Sequence, residues 1–485
     1  MKNFSHDIAP GDGLSRRTVL GGMAGSAFLC ALPLAASAKA SNVREFSLKA
    51  QPGTATILGG KWADTKVWNY SGQTPGPVLR VTQGDRVRIH VENGLDQPTT
   101  IHWHGLRIPI NMDGVPDISQ APIQPGETFT YEFVVPDAGT FWYHPHVNTS
   151  EQIARGLNGI LIVEEKSPPT VDREELWVID DWRLNQDATI QENFGHGMDI
   201  SHGGRQGNLV TINGKVPDIF SVRSGERIRL RLANVANARL FGLRFEGHEP
   251  QVIAIDGHPV LPHVPQNGQL ILAPGQRVDI ILDCTAKPGT AFKVMDEIYA
   301  DQAYALIDIA YSKDKPVRTK LLGKIKPLAD NPLSEPNLAD PNRNKYEVII
   351  DGGAMGSMQG ADFKGQYLTI NELIKHRRIW AINGVAADTT AMAPMYTVKR
   401  GSTNVFSIKN DTVFPHPMHL HGHAFRILSI NGQAELYRPW ADTVLLPPQG
   451  SAKIAFVADN PGDWLFHCHI LEHVDGGMLS VIRVR

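Results

Sequence analysis

The 485-residue chain has little cysteine, no excess of charge of one sign and few long apolar runs. Its three cysteines are too few for a disulfide framework. Lysine and arginine total 47 against 50 aspartates and glutamates, so the composition shows no basic excess that would point to a nucleic-acid partner. Beyond the N-terminal region, no segment is apolar for long enough to anchor the mature protein in a membrane. At 42% hydrophobic and 20% charged residues, the composition indicates a globular protein rather than a disordered one.

Residues 1–38 predict an export signal that is removed from the mature protein. The pair Arg16-Arg17 precedes a Gly- and Ala-rich apolar stretch, 21–36, and small residues offer cleavage after Ala38 or Ala40. Paired arginines before a weakly hydrophobic core resemble a twin-arginine signal, and this predicts a periplasmic protein exported after folding. A general secretory signal or an uncleaved anchor is the alternative interpretation.

A pattern that occurs three times along the chain predicts three β-sandwich domains. Each copy has a turn glycine followed by alternating apolar and polar residues that end in asparagine, which is typical of a half-buried strand. The copies begin at Gly84, Gly225 and Gly401. A second glycine-containing turn opens another alternating strand in each copy, at Gly126, Gly275 and Gly450. The sequence therefore predicts an all-β protein built from three homologous sandwiches.

The repeats also predict the domain boundaries. Domain 1 is expected at 41–165 and domain 2 at 170–313. The segment 314–345 is rich in proline, lysine, asparagine and aspartate, and it is interpreted as a connector. Domain 3 is expected at 346–485. No helix-periodic segment of substantial length is expected outside the signal.

Histidine is the residue that stands out. Eleven of the 19 histidines fall in four short clusters, at 102–104, 144–146, 416–423 and 467–473. A lone histidine is usually a surface or core residue, but this density is not explained in that way. Because imidazole is the commonest metal ligand and suits Zn, Cu, Fe and Ni, the clusters indicate metal binding.

The spacing within the clusters predicts a centre with several metal ions. Residues i and i+2 of a strand point to the same face, so each His-x-His pair presents two imidazoles to one site. Four such pairs supply eight ligands, which is more than one four-coordinate zinc uses. The pairs are His102/His104, His144/His146, His419/His421 and His467/His469.

Cys468 lies between two of these histidines and should point the opposite way, toward a separate metal. With His416 and His473 it provides one thiolate and two imidazoles, and Met478 is a candidate weak axial ligand. This donor set is typical of a blue-copper electron-transfer site. A Cys/His zinc site is the alternative, but zinc does not favour a thioether.

Together these motifs resemble those of the multicopper oxidases, and the resemblance covers essentially the whole mature chain. It is strongest to three-domain bacterial laccases and cuprous oxidases, and it implies three cupredoxin-like Greek-key domains with four coppers per chain. It places the type 1 copper on His416, Cys468, His473 and Met478, and the type 2 copper on His102 and His419. One type 3 copper would bind His104, His144 and His469, and the other His146, His421 and His467. Domain 2 lacks a matching histidine, since Val294 stands at that position, and it is expected to be a copper-free spacer.

The resemblance also implies a reaction. Four one-electron oxidations of a reducing substrate would be coupled to the reduction of dioxygen to water, with Cys468, His467 and His469 connecting the two sites. Asp113 resembles the family's acid near the type 2 copper and is expected to donate or relay protons. Many bacterial relatives have glutamate directly after the second type 1 histidine, where this chain has Val474 followed by Asp475. That departure leaves Asp475 as a weakly supported substitute.

The substrate remains open between several interpretations. The first is a laccase-like oxidation of phenols or aromatic amines through an exposed edge of His473 or His416. The second is a Cu(I) oxidase, although the few methionines at 355, 358, 392 and 395 are not a methionine-rich insertion. The third is a non-enzymatic exported protein of the same fold, which the complete ligand set disfavours. The protein is expected to be a monomer.

Other residues receive structural interpretations. Removal of the signal eliminates Cys30, and Cys284 is expected to be a buried free thiol. His423 is interpreted as structural, and Glu472 as a residue that orients a ligand. The segment 196–202 is interpreted as a flexible surface loop, with a labile copper site as the alternative.

Overall fold

The alternating segments of the sequence form 33 β-strands in the computed structural model, which describes residues 43–485. The predicted export signal lies outside the described residues. The prediction of an all-β protein is confirmed, since the four α-helices of the described part have five or six residues each. No helix in this part of the chain is both long and apolar enough to cross a membrane.

Eight strands form the first sandwich. One sheet has the strand order β2-β1-β4-β6 and the other β3-β8-β7-β5. Their facing apolar side chains form one core between the sheets. The strands are β1 (Val43–Ala55), β2 (Thr65–Tyr70), β3 (Gly76–Thr82), β4 (Arg86–Asn93), β5 (His102–His104), β6 (Thr128–Val134), β7 (Gly139–His144) and β8 (Gly159–Glu164).

Eleven strands form the second sandwich. Its sheets have the orders β10-β9-β12-β17-β14-β15 and β11-β19-β18-β13-β16, and a second core lies between them. The strands are β9 (Arg173–Trp182), β10 (Leu209–Ile212), β11 (Ile219–Val222), β12 (Arg227–Asn234), β13 (Phe241–Phe245), β14 (Gln251–Ile255), β15 (His258–His263), β16 (Leu270–Leu272), β17 (Arg277–Asp283), β18 (Ala291–Asp296) and β19 (Tyr304–Tyr311).

The third sandwich contains the remaining strands and a third core. Its larger sheet has the order β23-β20-β25-β31-β27-β28 with β29 beside β27, its second sheet has the order β24-β33-β32-β26-β30, and β21 and β22 form a separate hairpin. The strands are β20 (Asn344–Gly352), β21 (Gly360–Phe363), β22 (Gln366–Thr369), β23 (Trp380–Ile382), β24 (Tyr396–Val398), β25 (Thr403–Asn410), β26 (His416–Leu420), β27 (Phe425–Ile430), β28 (Gln433–Ala434), β29 (Trp440–Ala441), β30 (Thr443–Leu446), β31 (Ser451–Val457), β32 (Gly462–Cys468) and β33 (Leu479–Val484).

Three of the four short helices lie close to the histidine clusters. α1 (Thr149–Ala154) follows the second cluster, and α4 (Leu471–Asp475) contains His473. α2 (Gly197–Ser201) comes from domain 2 and contacts α4, and α3 (Ile370–Lys375) packs on the β21–β22 hairpin.

The threefold sequence pattern corresponds to a threefold structural feature. Gly84, Gly225 and Gly401 all have positive φ, between 78° and 93°, which glycine adopts without strain. The asparagine at the end of each following strand donates from its amide to two backbone carbonyls and accepts from the amide two residues on. These asparagines, Asn93, Asn234 and Asn410, are fully buried and join two loops in every sandwich.

The segment interpreted as a connector, 314–345, contains no helix or strand until β20 begins at Asn344. It nevertheless packs against the sandwiches. The side chain of Asn331 accepts from the Ala138 amide at 2.8 Å and donates to the Ala138 carbonyl at 2.9 Å. Its amide also lies 3.0 Å from Nδ1 of His258 in domain 2. The connector is thus attached to both preceding domains.

A buried ion network joins domains 1 and 2. Arg229 and Arg231 project from β12, and both contact the Asp279 carboxylate of β17, at 2.6 and 3.0 Å. Thr140 of domain 1 donates to the same carboxylate at 2.7 Å, and Glu165 pairs with Arg229. Buried charges are tolerated when they are paired in this way.

Candidate metal centres

Strand pairing brings the four His-x-His pairs to one place between domains 1 and 3. In domain 1, β5 pairs with β7 so that His102 lies opposite His144. In domain 3, β26 pairs with β32 so that His419 lies opposite His467. Each pair lies at or just beyond a strand end. All eight imidazoles are buried, and we call them the histidine cage.

The hydrogen bonds of the cage determine which ring nitrogens are free. Nδ1 of His102 donates to the Asp113 carbonyl at 2.9 Å, Nδ1 of His144 to the Pro145 carbonyl at 2.9 Å, and Nδ1 of His419 to the Asp442 carbonyl at 2.9 Å. An imidazole that donates from one nitrogen presents a lone pair at the other. Within the described chain, the opposite nitrogens of these three rings are buried and have no hydrogen-bond partner.

The other five cage histidines have ring nitrogens that are unpartnered or that face one another. Nδ1 of His104, Nε2 of His146 and both ring nitrogens of His469 are buried without a partner in the described chain. The Nε2 atoms of His421 and His467 face each other at 3.0 Å, while their Nδ1 atoms donate elsewhere. Unpartnered buried nitrogens that face one another are costly unless a cation lies between them.

The spacing of the cage nitrogens fits several metal ions. Ligand atoms within 4.8 Å of one another include His102 with His104 and His144, His102 with His419 and His421, and His146 with His421 and His467. The ring of His469 lies 4.9 Å from that of His104 and 5.4 Å from that of His144, centroid to centroid. The cage therefore offers overlapping sets of three ligands.

Two buried carboxylates border the cage. Asp113 accepts from Nδ1 of His421 at 2.8 Å, and its other oxygen lies 3.2 Å from Nδ1 of His102. Asp442 accepts from Nε2 of His104 at 3.0 Å. Burial raises the pKa of Asp442, but the Arg277 guanidinium and His104 outweigh it and hold this pKa well below its usual range. Asp442 therefore remains an anion beside the cage.

A second candidate site lies in domain 3. The Sγ atom of Cys468 is 3.6 Å from Nδ1 of both His416 and His473, and these two nitrogens are 3.1 Å apart. Met478 is fully buried. Its backbone lies beside the site, because its amide donates to the His473 carbonyl at 2.9 Å and its carbonyl accepts from the Cys468 amide. One sulfur and two imidazole nitrogens within coordination distance of one point fit a copper ion.

The two sites are covalent neighbours. Cys468 is flanked by His467 and His469, whose rings belong to the cage, and alternation along the strand sends Cys468 to the opposite side. Nδ1 of His467 also donates to the Cys468 carbonyl at 2.7 Å. A single peptide bond therefore connects Cys468 of the second site to each of two cage histidines.

The expectation of an exposed imidazole edge at the cysteine site is wrong. His416 and His473 have no exposed surface. Nε2 of His473 donates to the His202 carbonyl at 2.6 Å, and Nε2 of His416 lies 2.7 Å from the Thr412 hydroxyl. A segment of domain 2, which we call the cap (residues 196–205), therefore lies between His473 and solvent.

The cap is not the free surface loop expected from its composition. It contains α2, and Trp380 and Ala354 of domain 3 donate to its carbonyls at Ile200 and Ser201, at 2.6 and 2.8 Å. Asp199 forms a two-pronged pair with Arg183 at 2.8 and 3.0 Å. The contacts from Trp380 and Ala354 hold the cap against domain 3, and the Arg183 pair fixes it within domain 2.

Glu472 was expected to orient a ligand, but its carboxylate contacts no candidate ligand side chain in the described chain. Its carboxylate accepts from the Arg205 amide at 3.0 Å and from Asn237 at 2.9 Å, so it holds the cap and domain 2. Asp475 accepts from the Ser150 hydroxyl at 2.5 Å, and Val474 packs among apolar side chains.

Two residues outside the sites fit their interpretations. Cys284 is a buried free thiol, as predicted. His423 is 4% exposed, and its Nδ1 lies 3.3 Å from the His421 carbonyl, behind the cage.

Acidification is expected to destabilise the metal-free protein. Burial lowers the pKa of eleven buried imidazoles, for example that of His473 to about 3, so these rings remain neutral when folded but gain protons below pH 6.5 when unfolded. The pKa of the partly buried His248 is shifted in the same direction. Burial also raises the pKa of five buried carboxyls, including Glu472 to about 7, and of the partly buried Glu435, and these groups act with the opposite sign.

Because the imidazoles outnumber those carboxyls, the free energy of unfolding should fall as the pH is lowered from 6.5 to 5. The expected slope is about 1.4 kcal/mol per pH unit for each net proton. Urea unfolding of the copper-free protein at a series of pH values measures it. A free energy of unfolding that stays level or rises as the pH is lowered would contradict the prediction.

Comparison with known proteins agrees with this geometry. Models of the multicopper oxidase family match residues 49–168, 174–306 and 364–485. A multicopper oxidase of Staphylococcus haemolyticus is 30% identical over 464 residues, covering 93% of this chain and 91% of the relative. The chain belongs to the multicopper oxidase family, and it is a copper oxidoreductase of the kind that uses oxygen.

Other relatives agree with this placement. A fungal protein named laccase-1, from Fomitopsis schrenkii, is 30% identical over 479 residues, covering 90% of this chain and 84% of the relative. The crystal structure of a multi-copper oxidase from Pseudomonas thermotolerans superposes with a TM-score of 0.79 at 31% identity, covering 91% of this chain and 99% of that one. The prediction of three cupredoxin-like domains is confirmed.

Two residues near the sites were missed by the sequence analysis. They are Asp442 and Arg277, and neither belongs to a histidine cluster. Asp442 follows Trp440 and Ala441 in an unremarkable strand connection, and Arg277 lies in an alternating strand of domain 2. No local spacing marks either residue.

Proposed function

We propose that this multicopper oxidase acts as a laccase-like enzyme on phenols or aromatic amines. The observation that carries the proposal is the Cys468 site joined by a single residue to the eight-histidine cage. We assign His416, Cys468, His473 and Met478 to a type 1 copper and His102 and His419 to a type 2 copper. We assign His104, His144 and His469 to one type 3 copper and His146, His421 and His467 to the other.

Four bound coppers would supply the one-electron and multi-electron redox chemistry that couples substrate oxidation to the reduction of dioxygen. The chain's own residues prepare this chemistry. Carbonyls and carboxylates hold one nitrogen of most cage imidazoles, which leaves the other nitrogen free for a metal. The enclosed cage would separate dioxygen chemistry from the substrate, and Cys468 would provide the covalent connection between the sites.

Protons are proposed to reach the cage through Asp113. Its carboxylate oxygens lie 2.8 Å from Nδ1 of His421 and 3.2 Å from Nδ1 of His102, within reach of both halves of the cage. Val474 offers no titratable group at the position where many bacterial relatives have glutamate. Asp475 is a less direct candidate, because it contacts Ser150.

Electrons are proposed to enter across the cap. Since His473 is buried and donates to the His202 carbonyl, a reductant meets the surface of domain 2 rather than a ligand imidazole. Transfer of this outer-sphere kind does not require a fitted pocket, and this supports broad specificity among phenols.

Oxygen uptake by the copper-loaded protein tests the proposal. We expect uptake with a phenol such as 2,6-dimethoxyphenol, together with the colour of a type 1 copper. No uptake with any reductant at full copper loading would refute the oxidase assignment. A copper-free sample provides the control.

A Cu(I) oxidase is the second candidate function. Two thioethers favour it, since Met198 on the cap and Met355 beside it are 56% and 78% exposed, and thioether is a soft ligand for Cu(I). Ala354 donates to the Ser201 carbonyl and so holds Met355 near the cap. Uptake with Cu(I) but not with the phenol would establish this alternative.

The cellular setting is also a proposal. We propose that the protein is exported to the periplasm through the twin-arginine route and acts there as a monomer, with dioxygen and a small reducing substrate as its partners. Cell fractionation after replacement of Arg16 and Arg17 by lysine tests the route. Retention of the variant in the cytoplasm is the expected result.

A further inference from the structure

One side chain of domain 2 reaches the histidine cage. Arg277, at the start of β17, is 1% exposed. Its guanidinium donates to both oxygens of Asp442 in domain 3, at 3.0 and 2.6 Å. This two-pronged geometry fixes the plane of the carboxylate as well as its position.

Asp442 in turn determines the orientation of two cage imidazoles. Its carboxylate accepts from Nε2 of His104 at 3.0 Å, and its backbone carbonyl accepts from Nδ1 of His419 at 2.9 Å. His104 therefore presents Nδ1 to the cage and His419 presents Nε2, and both atoms have no partner in the described chain. The two rings are stacked with centroids 3.8 Å apart.

The surroundings of Arg277 leave it little freedom. Its side chain also donates to the carbonyls of Thr140 in domain 1, at 3.1 Å, and of Gly275, at 2.9 Å. Asp256 of domain 2 accepts from the Arg277 amide at 3.0 Å and from the amides of Asp442 and Thr443 at 3.2 and 3.1 Å. Arg277 thus connects all three domains behind the cage.

Domain 2 touches the cage at a second point. Gly275 has φ of +85°, and a Cβ atom there would lie 2.9 Å from the His469 ring and 3.1 Å from the His104 ring. The turn of domain 2 therefore packs directly against two cage imidazoles. Its closeness requires glycine, because a side chain would push the rings aside.

We propose that Arg277 is a positioning residue of the cage and that domain 2, through Arg277 and Asp442, sets the orientation of His104 and His419. Domain 2 is then part of the metal centre's support rather than a spacer. This inference rests on the proposed copper assignment, since it concerns ligands of the same centre.

Spectroscopy of the Arg277→Gln variant tests the proposal. We expect an altered electron paramagnetic resonance signal of the type 2 copper, with unchanged visible absorption of the type 1 copper. Turnover should fall about 10- to 100-fold, as is typical when support of a metal ligand is removed. An unaltered type 2 signal would overturn the inference.

Two further variants separate positioning from general damage. Arg229→Gln removes another arginine that is 1% exposed in domain 2 and contacts no cage histidine or Asp442, and it should leave the type 2 signal unchanged. The same altered signal in that variant would overturn the proposal. If Arg277→Gln fails to fold, Arg277→Lys takes its place, because it keeps the charge without the two-pronged geometry. This variant should still alter the type 2 signal relative to the wild type, and an unaltered signal would overturn the proposal.

A double-mutant cycle tests the route through Asp442. If Arg277 acts through Asp442, adding Arg277→Gln to Asp442→Asn should change turnover and the type 2 signal little further. Fully additive effects would refute this route. The copper signals are measured without substrate, so they test the positioning role of Arg277 separately from the proposed function. Failure of the proposed function would instead appear as a wild-type protein that loads copper but consumes no oxygen.

Discussion

Replacing Cys468 by serine is expected to abolish the type 1 colour and substrate oxidation together. The Sγ atom of Cys468 lies 3.6 Å from Nδ1 of both His416 and His473, and the peptide of Cys468 joins this site to the cage. Loss of turnover should exceed the roughly 100-fold that removal of an outer contact to a metal ligand produces. Visible absorption and oxygen uptake with a phenol measure the two effects.

A matched control uses the other free cysteine. Cys284 is buried in domain 2, away from both sites, so Cys284→Ser should retain the colour and the oxygen uptake. Cys468→Ser should also keep the cage histidines in place, and its type 2 signal should persist. A blue Cys468→Ser protein would refute the type 1 assignment.

Replacing Asp279 by alanine is expected to cost about 3–5 kcal/mol of stability, as is typical when one partner of a buried ion network is lost. Asp279 is 1% exposed and contacts Arg229, Arg231 and Thr140. Its removal leaves two buried guanidinium groups with fewer partners and weakens the junction of domains 1 and 2. Urea unfolding of the copper-free protein measures the loss.

The control for this prediction is an exposed aspartate in the same domain. Asp308 pairs with Lys293 at 2.9 Å, and the side chains are 47% and 51% exposed. Its replacement by alanine should change the free energy of unfolding by less than about 1 kcal/mol. Equal losses in the two variants would show that burial of the Asp279 network does not stabilise the protein.

Local spacing predicted most of the candidate site. The His-x-His pairs lie at strand ends with both rings on one side, because side chains of a strand alternate. The same alternation sends Cys468 away from His467 and His469, as the sequence suggested. The three turn glycines predicted the sandwiches for a similar reason, since a tight turn before an alternating strand is a local property.

Contacts between domains were beyond the reach of such spacing. Asp442 meets Arg277 across 165 residues and His104 across 338 residues. The cap shows the same limit. Its glycine-rich composition indicated a loose loop, yet Trp380 of domain 3 donates to a cap carbonyl, and His473 is buried beneath the cap. Composition describes how a segment behaves alone, and packing against another domain changes that behaviour.

The sequence by itself determined the fold class, the threefold repeat and the donor atoms, because periodicity and ligand chemistry are written in neighbouring residues. Only the tertiary structure decided which nitrogen of each imidazole is free, that the cysteine site is covered, and that domain 2 supports the cage. These properties depend on hydrogen bonds and burial between segments far apart in the chain. They exist only once the three sandwiches have packed together.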